Sequence, residues 1–450
     1  NTGLSGVRVG TGLGGFVIKN AGTEIGKDGE LRGIAPTGGS INSVGIASTE
    51  FGTASTVFTA SFEVHFTGGS SGTWYFFAGN GTSFAATQST GFTGAQVFTG
   101  IRWVYGASDA ITTNNRNAGT WNATGITGTP FAQNVSYTVT IVGNNSASTV
   151  NYGASSSVAA NTYDLWVNGV LVGDDLAKAQ LAATTDINAF RFYGESSTSN
   201  VATIALDNIR WWNSCVAPSM SVYAAITSIP ANTYTDLNIN SGTASLSGAV
   251  TVSRTLTLTN GLLSLGANNL TMGSGANISG TPSASNMIVA TGTGELRKEF
   301  TATGSFTFPV GDNTGTAEYS PVTVNFATGS FAGGAYAGVN LRNEIHPNNG
   351  SVLNYINRYW TLTSSGITSF TCSPTFTFLD ADVGGTEGNK ASLFTGQYNS
   401  GWTLRNQASG NILSATDISS FSDFTGGDQG ALPVNLQSFS SVVSGNYVKL

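Results

Sequence analysis

The sequence predicts an all-β protein, and three observations carry that prediction. Charged residues make up 9% of the chain, against roughly 25% in an ordinary globular protein. The straight-chain Lys, Glu and Arg that cover the solvent face of long helices are therefore scarce. Glycine occurs 59 times, and Ser, Thr and Asn stand where charged residues usually do. Runs rich in Thr, Val, Phe and Tyr lie between Gly/Asn/Ser turns, as sheets require. With 450 residues and 40% hydrophobic content, the chain is long enough for about three domains with cores of their own.

Residues 1–213 read as the first unit. Strand-like runs follow one another: "TVFTASFEVHF", "GTWYFFAGNG", "AQVFTGIRWVYG", "VSYTVTIVGNN", "YDLWVNGVLVG", "INAFRFYGE" and "VATIALDNIRWW". So many alternating runs in one unit predict two packed antiparallel sheets. One short helix is expected at "GDDLAKAQLAA" (173–183), capped by Asp174 or Asp175, with Leu176 and Leu181 inward. The succession "YDLWVNGVLVGDD", "FRFYGESS", "IALDNIRWW" resembles the concanavalin-A-like or laminin-G-like jelly roll. That resemblance implies a domain that binds glycans or acts as a spacer, with calcium in some members and hydrolase activity in others.

Residues 214–235 read as a linker. From 236 to 290 the pattern changes to "LNI", "ASL", "VTV", "LTL", "LSL", "LTM" and "NIS", repeated about every six or seven residues. Each triplet puts two apolar side chains on one face, as in Leu256 and Leu258, Leu263 and Leu265, or Leu270 and Met272. Stacked, they form a continuous apolar column, so a short parallel β-helix is expected, with its ends capped by the flanking units.

Residues 291–430 read as a second β-sandwich, with long alternating strands in "GELRKEFTATGSFTFPVGD", "YSPVTVNF" and "NRYWTLTSSGITSFTCSPTFTFLDADVGG". The order of "F-P-V-G-D", "Y-S-P-V" and "R-Y-W" resembles a module repeated in large secreted proteins of the Bacteroidota. The last stretch, 431–450, "ALPVNLQSFSSVVSGNYVKL", reads as strand, turn, strand. It resembles the opening of the C-terminal region carried by cargo of the type IX secretion system. Three expectations follow: the chain is cut during maturation, it continues further, or its terminal strands are donated to another molecule's sheet edge.

Charge and composition narrow the function. The formal net charge is −7, and no Lys/Arg cluster is present to neutralise a phosphate backbone, so nucleic-acid binding is not expected. No apolar run approaches the ~20 residues of a spanning helix, so membrane insertion is not expected either. The chain begins at Asn1 without a signal-peptide core; if the protein is secreted, this is its mature, processed form. Cys215 and Cys372 are the only cysteines; either one disulfide joins them or both are buried thiols.

Few residues promise catalysis. His65 and His346, the only histidines, fall in different predicted units, which leaves a Ser-His-Asp triad or a multi-histidine zinc site without support. Glu63, Asp164, Asp174, Asp175, Glu195 and Asp207 are the candidate acids of the first unit, but no "E-x-E" or "E-x-D-x-x-E" strand pair occurs. The glycine-rich "VGTGLGGF" lacks the helix that a dinucleotide fingerprint needs. No cofactor is expected beyond calcium as a candidate at Asp174, Asp175 and Asp207, where capping and backbone bonds are the leading reading. Trp74, Tyr75, Trp103, Tyr105 and Trp121 are candidates for stacking on sugars, with Trp121 expected on an exposed loop; core packing is the alternative.

The leading expectation is a non-catalytic, extracellular, cell-surface protein with a structural or adhesive role. It is expected to be a homo-oligomer or to engage other surface proteins, and strand donation would build a fibre. The alternatives are a carbohydrate-binding protein whose partner is a polysaccharide, and a glycoside hydrolase or lyase.

Overall fold

The computed structural model describes residues 54–85, 93–153, 156–195, 202–222, 226–240, 242–350 and 352–428, with shorter stretches at 5–8, 15–19, 25, 29–35, 43–48, 432, 442–444 and 447–449. Most of the glycine-rich 9–16 segment and of 431–450 lies outside the described residues. The chain is all-β and forms two compact units, Asn1–Asn240 and Ser241–Leu450. Among the described residues, no helix is long and apolar enough to cross a membrane.

The first unit is a jelly-roll sandwich of two seven-stranded sheets. In the first sheet, Ala189–Glu195, Thr73–Gly79, Val97–Tyr105, Ile111–Asn117 and Thr120–Asn122 run side by side. In the second, the order is Val170–Ala177, Thr162–Val167, Ser136–Asn144, Val57–Thr67, Thr203–Trp212, Glu30–Ile34, Gly15–Lys19. Period-two alternation sends Phe62, Phe66, Trp74, Phe76, Trp103 and Phe192 between the sheets. Their rings meet mostly edge-on or tilted, as between Phe62 and Phe192 with centroids 4.9 Å apart.

The expected helix at 173–183 is instead strand Val170–Ala177 and the turn after it. Pairing of Tyr163 with Leu176 buries Leu176 in the core, and that tertiary contact outweighs the local helical spacing. The expected linker, 214–235, belongs to the first unit. Ser214 O accepts from the Thr59 hydroxyl at 2.8 Å, and the amide of Ser221 donates to Thr138 Oγ1 at 2.8 Å. The Ser221 hydroxyl donates to Glu63. This stretch covers the outward face of the second sheet, which is why Thr59, Ser61, Glu63, Thr138 and Thr140 are buried.

The second unit begins with parallel rungs of a short β-solenoid of about five turns. Val250–Val252 pairs with Leu270–Met272, which pairs with Leu296–Lys298; a second ladder runs through Thr243–Ser245, Leu262–Ser264, Ile288–Val289 and Val310–Gly311. Leu256, Leu258, Leu263, Leu265, Leu270 and Met272 are fully buried, forming the apolar column. The last rung is capped from within the unit. Leu296–Glu299 turns antiparallel to Val322–Arg342, and Val310–Asp312 to Glu318–Tyr319. The long strands Val322–Arg342 and Tyr355–Cys372 then lead into the second sandwich. At the end of the chain, Val442–Ser444 pairs antiparallel with Tyr447–Lys449.

Candidate functional site

The outward face of the first sheet holds the residues suited to binding. Alternation puts Arg191, Tyr193 and Glu195 outward from Ala189–Glu195, whose Phe190 and Phe192 are core. Tyr75 and Phe77 face outward from Thr73–Gly79, Arg102 from Val97–Tyr105, and Asn114 and Arg116 from Ile111–Asn117. Register aligns Tyr193, Tyr75, Arg102 and Asn114 in one row across four strands. Arg191 lies opposite Phe77, and Arg116 opposite Trp121 on the edge strand.

Tyr75 and Phe77 form the floor and are nearly buried, with Trp121 and Tyr193 partly buried above them. The Trp121 ring centroid is 5.4 Å from that of Tyr75 and 6.0 Å from that of Phe77. Two guanidiniums rest against the same indole: Arg102 Cζ lies 5.0 Å and Arg116 Cζ 5.5 Å from its centroid, within cation–π range. Arg102 donates from Nε and Nη2 to Asn114 Oδ1 at 3.2 and 2.9 Å. At the other end, the Tyr75 hydroxyl donates to the exposed Glu195 carboxylate. Burial, reinforced by Glu195, raises the Tyr75 hydroxyl well above its ordinary pKa, so it stays a donor. Gly100 makes the arrangement possible. A Cβ there would lie 2.9 Å from Arg116 Cβ and 3.3 Å from the Phe77 ring.

The sugar-stacking candidates thus divide between the two faces. Trp74, Trp103 and Tyr105 are core residues with at most 3% of their surface exposed, so no ligand reaches their rings. Trp74 Nε1 donates to Ala202 O at 3.1 Å, and the Tyr105 hydroxyl donates to Thr203 O. Tyr75 and Trp121 are on the outward face; Trp121 lies on strand Thr120–Asn122, half-buried, rather than on an exposed loop. Sequence reasoning missed Tyr193, Arg102 and Arg116. The alternation in "IRWVYG" does place Arg102 on the face opposite Trp103, but the pairing of Arg116 with Trp121 has no sequence signal.

The calcium candidates do not come together as one set. Asp174 and Asp175 join Asp164, their carboxylate oxygens within 4.8 Å of one another. Asp207 is on Thr203–Trp212, separated from them by strands Ser136–Asn144 and Val57–Thr67, and its Oδ1 accepts from the Asn208 amide at 2.7 Å. Asp164 accepts from the Tyr152 hydroxyl and the Asp175 amide. Burial pushes its carboxyl up to about 6, opposed by those two donors. Asp175 accepts from the Ala159 amide at 2.6 Å and the Thr162 hydroxyl at 2.9 Å. Protein donors thus reach both Asp164 and Asp175.

Glu63 and Glu195 lie on outward faces of different sheets, so they do not flank one cleft. His65 Nδ1 is 2.9 Å from the Ser136 hydroxyl, buried beneath the covered face. Cys215 and Cys372 are both free thiols in this structure. They belong to different units, Cys215 half-buried near Gly143 and Cys372 buried in the second sandwich.

In the second unit the motif residues converge on a structural cluster. Arg358 of "NRYW", fully buried, pairs with Asp312 of "FPVGD" at 2.8 Å, with Glu318, and with Asp382 at 3.0 Å. Asp382 is further held by the Leu379 amide at 2.8 Å. Trp360 Nε1 donates to Ser320 O of "YSPV" at 3.2 Å. His346 is packed against Tyr359, Tyr398 and Trp402, accepts from the Asn348 amide at Nδ1, and faces Asp423 through Nε2 at 3.3 Å. The imidazole is buried, with 3% of its surface exposed.

No family model matches the chain, and no curated protein matches it. Solved structures align with about half of the chain. The carbohydrate recognition domain of Emp46p in its potassium-bound form is 9% identical, with 44% of this chain and 87% of that one covered at a TM-score of 0.28. The globular domain of T. cruzi calreticulin is 11% identical, with 46% and 84% covered at 0.28. A Bacillus licheniformis beta-glucanase is 16% identical, with 47% and 91% covered at 0.27. At such identities and TM-scores, none of these proteins lends this chain its ligand or activity.

Proposed function

We propose that the first unit binds carbohydrate through the outward face of its first sheet, as a non-catalytic, adhesive module working outside the cell. The observation that carries the reading is the half-open aromatic pair Trp121 and Tyr193, set on buried Tyr75 and Phe77 and ringed by Arg102, Arg116, Asn114 and Glu195. Flat C–H faces of sugars stack on such rings, while guanidinium, amide and carboxylate groups bond the hydroxyls. On the opposite face of the sandwich, 214–222 covers Thr59 and Thr138 of the central strands. Glu63 and Glu195, on different sheets, do not form the carboxylate pair of a glycosidase, which favours binding over hydrolysis.

A glycan array probed with the full chain and with Trp121→Ala tests this. Binding that falls at least tenfold in Trp121→Ala supports the reading. An array blank for the native chain, or binding indifferent to Trp121→Ala, contradicts it.

A second reading concerns assembly. The hairpin Val442–Ser444/Tyr447–Lys449 is a separate two-stranded sheet joined to no other strand among the described residues. Two strands alone are marginal in water and keep open edges. We propose that a neighbouring copy's sheet completes this hairpin. Leu432 packs on Trp402 and must be kept, so truncation after Leu432 is the informative variant. Loss of self-association measured by sedimentation supports strand donation; unchanged association contradicts it.

A further inference from the structure

The guanidiniums of the proposed face point to the class of ligand, an inference that rests on the carbohydrate reading above. Basic residues are rare here, 17 Lys and Arg against 24 Asp and Glu, and the chain as a whole repels polyanions. Yet Arg102 and Arg116 are placed together. Arg102 faces Asn114 across the strand pair, and Arg116 lies two residues beyond Asn114 on the same face. Such diagonal neighbours are roughly 7–8 Å apart.

Among the described residues, neither arginine forms an ion pair with a carboxylate. The bonds of Arg102 go to a neutral amide, and Arg116 Nε is buried with no hydrogen-bond partner. Elsewhere in the chain, Arg32 is matched with Glu30, Arg297 with Glu295 and Arg358 with three acids, whereas half-buried Arg342 and Arg405, like Arg102, donate to neutral oxygens. Both unmatched cations are half-buried, where solvent screens them less than at the open surface. Glu195 is held by Tyr75 on the strand at the opposite end of the row, where Arg191 lies on the same face with its Cζ 5.3 Å from the Tyr193 ring centroid.

We propose that this face binds an anionic polysaccharide. A carboxylate or sulfate on the sugar is received by the forked N–H groups of Arg102 and Arg116, and Trp121 and Tyr193 stack on the rings. A guanidinium fork fits either planar carboxylate or sulfate oxygens and is roughly twice as strong a donor set when the acceptor is charged. Glu195 bonds neutral hydroxyls further along the chain of sugars.

Isothermal titration of the full protein with polygalacturonate, dextran sulfate and neutral dextran tests the proposal. Polygalacturonate supplies the carboxylate and dextran sulfate the sulfate, so the two arms tell the sources apart. The expected result is binding to at least one of the acidic polymers, at least tenfold tighter than to dextran and weakening as salt rises. Arg116→Gln and Arg102→Gln should each lower it by about tenfold, the order expected for one charge-assisted bond. Arg116→Lys, which keeps the charge without the fork, should retain part of it. Circular dichroism of each variant confirms an unchanged fold. Equal affinity for dextran, or acidic-polymer binding untouched by both Gln variants, overturns the proposal and leaves the carbohydrate reading standing. Binding to none of the three overturns it as well, and the glycan array then decides separately whether the carbohydrate reading survives.

Discussion

Arg358 shows how much one residue holds in this molecule. It is fully buried with three carboxylates around it, and its Nη1 contact with Asp312 at 2.8 Å is an ion pair with a poor angle for a hydrogen bond. Removing it strands Asp312 and Asp382 in the interior. Arg358→Met is expected to destabilise the second unit by about 3–5 kcal/mol, the usual effect of orphaning a buried charge. A shift in the urea midpoint of that unit, followed through Trp360 and Trp402 fluorescence, measures it; an unshifted midpoint contradicts the account. His65 sets a pH dependence in the first unit. Burial lowers its pKa below the ordinary value, with Glu30 opposing and Arg32 assisting. The unfolded chain therefore takes up the proton first. His65 contributes fully above about pH 6.5, and its contribution is lost as pH falls through the folded value. In His65→Asn, the drop in stability between pH 8 and pH 5 should shrink; a drop of native size would show that His65 is not its source. At the site, Gly100→Val should push Arg116 and Phe77 off the sheet and weaken ligand binding more than it lowers the melting temperature.

Among the elements, the solenoid was the most legible and the short segment at 173–183 the least. Leu256, Leu258, Leu263, Leu265, Leu270 and Met272 announce their column because each triplet is complete within its own rung. The "DDLAKAQLAA" stretch carries helical spacing, yet Leu176 is placed by Tyr163 on the adjacent strand, a partner that local sequence does not reveal. The same holds at the site. Alternation alone separates Tyr75 from Trp74 and Arg102 from Trp103, but register between strands is what brings Trp121 to Arg116. Close stacking of rungs gives the solenoid its own test. At Gly292 an added Cβ would lie 1.8 Å from Gly266 O, while at Gly275 it would meet nothing within 4 Å. Gly292→Ala is expected to cost about 1–3 kcal/mol, and Gly275→Ala almost nothing, both read from thermal denaturation. Equal effects would show that the rungs are not packed this tightly.

At the scale of the whole molecule, the sequence divided the chain by changes in repeat pattern, at 213, 235 and 290. Contacts divide it at Asn240 instead, because 214–222 is tied to Thr59, Glu63 and Thr138. No periodicity in that stretch announces those side-chain bonds. The two units carry one free thiol each. Burial, with Asp164 adding its charge, pushes Cys215 up to about 12, and burial likewise pushes Cys372 up to about 12. Both should react slowly with iodoacetamide in the native protein and quickly once unfolded, giving two alkylations by mass spectrometry; an unfolded chain that takes up none would reveal a disulfide. Covering one face of the sandwich while leaving the other half-open is the feature on which the functional account depends. Hydroxyl-radical footprinting of the full chain, with and without a saturating polysaccharide, tests it most directly. The account predicts protection of Trp121 and Tyr193 with Trp402 and Tyr359 unchanged, whereas unchanged reactivity of Trp121 with protection elsewhere would contradict it.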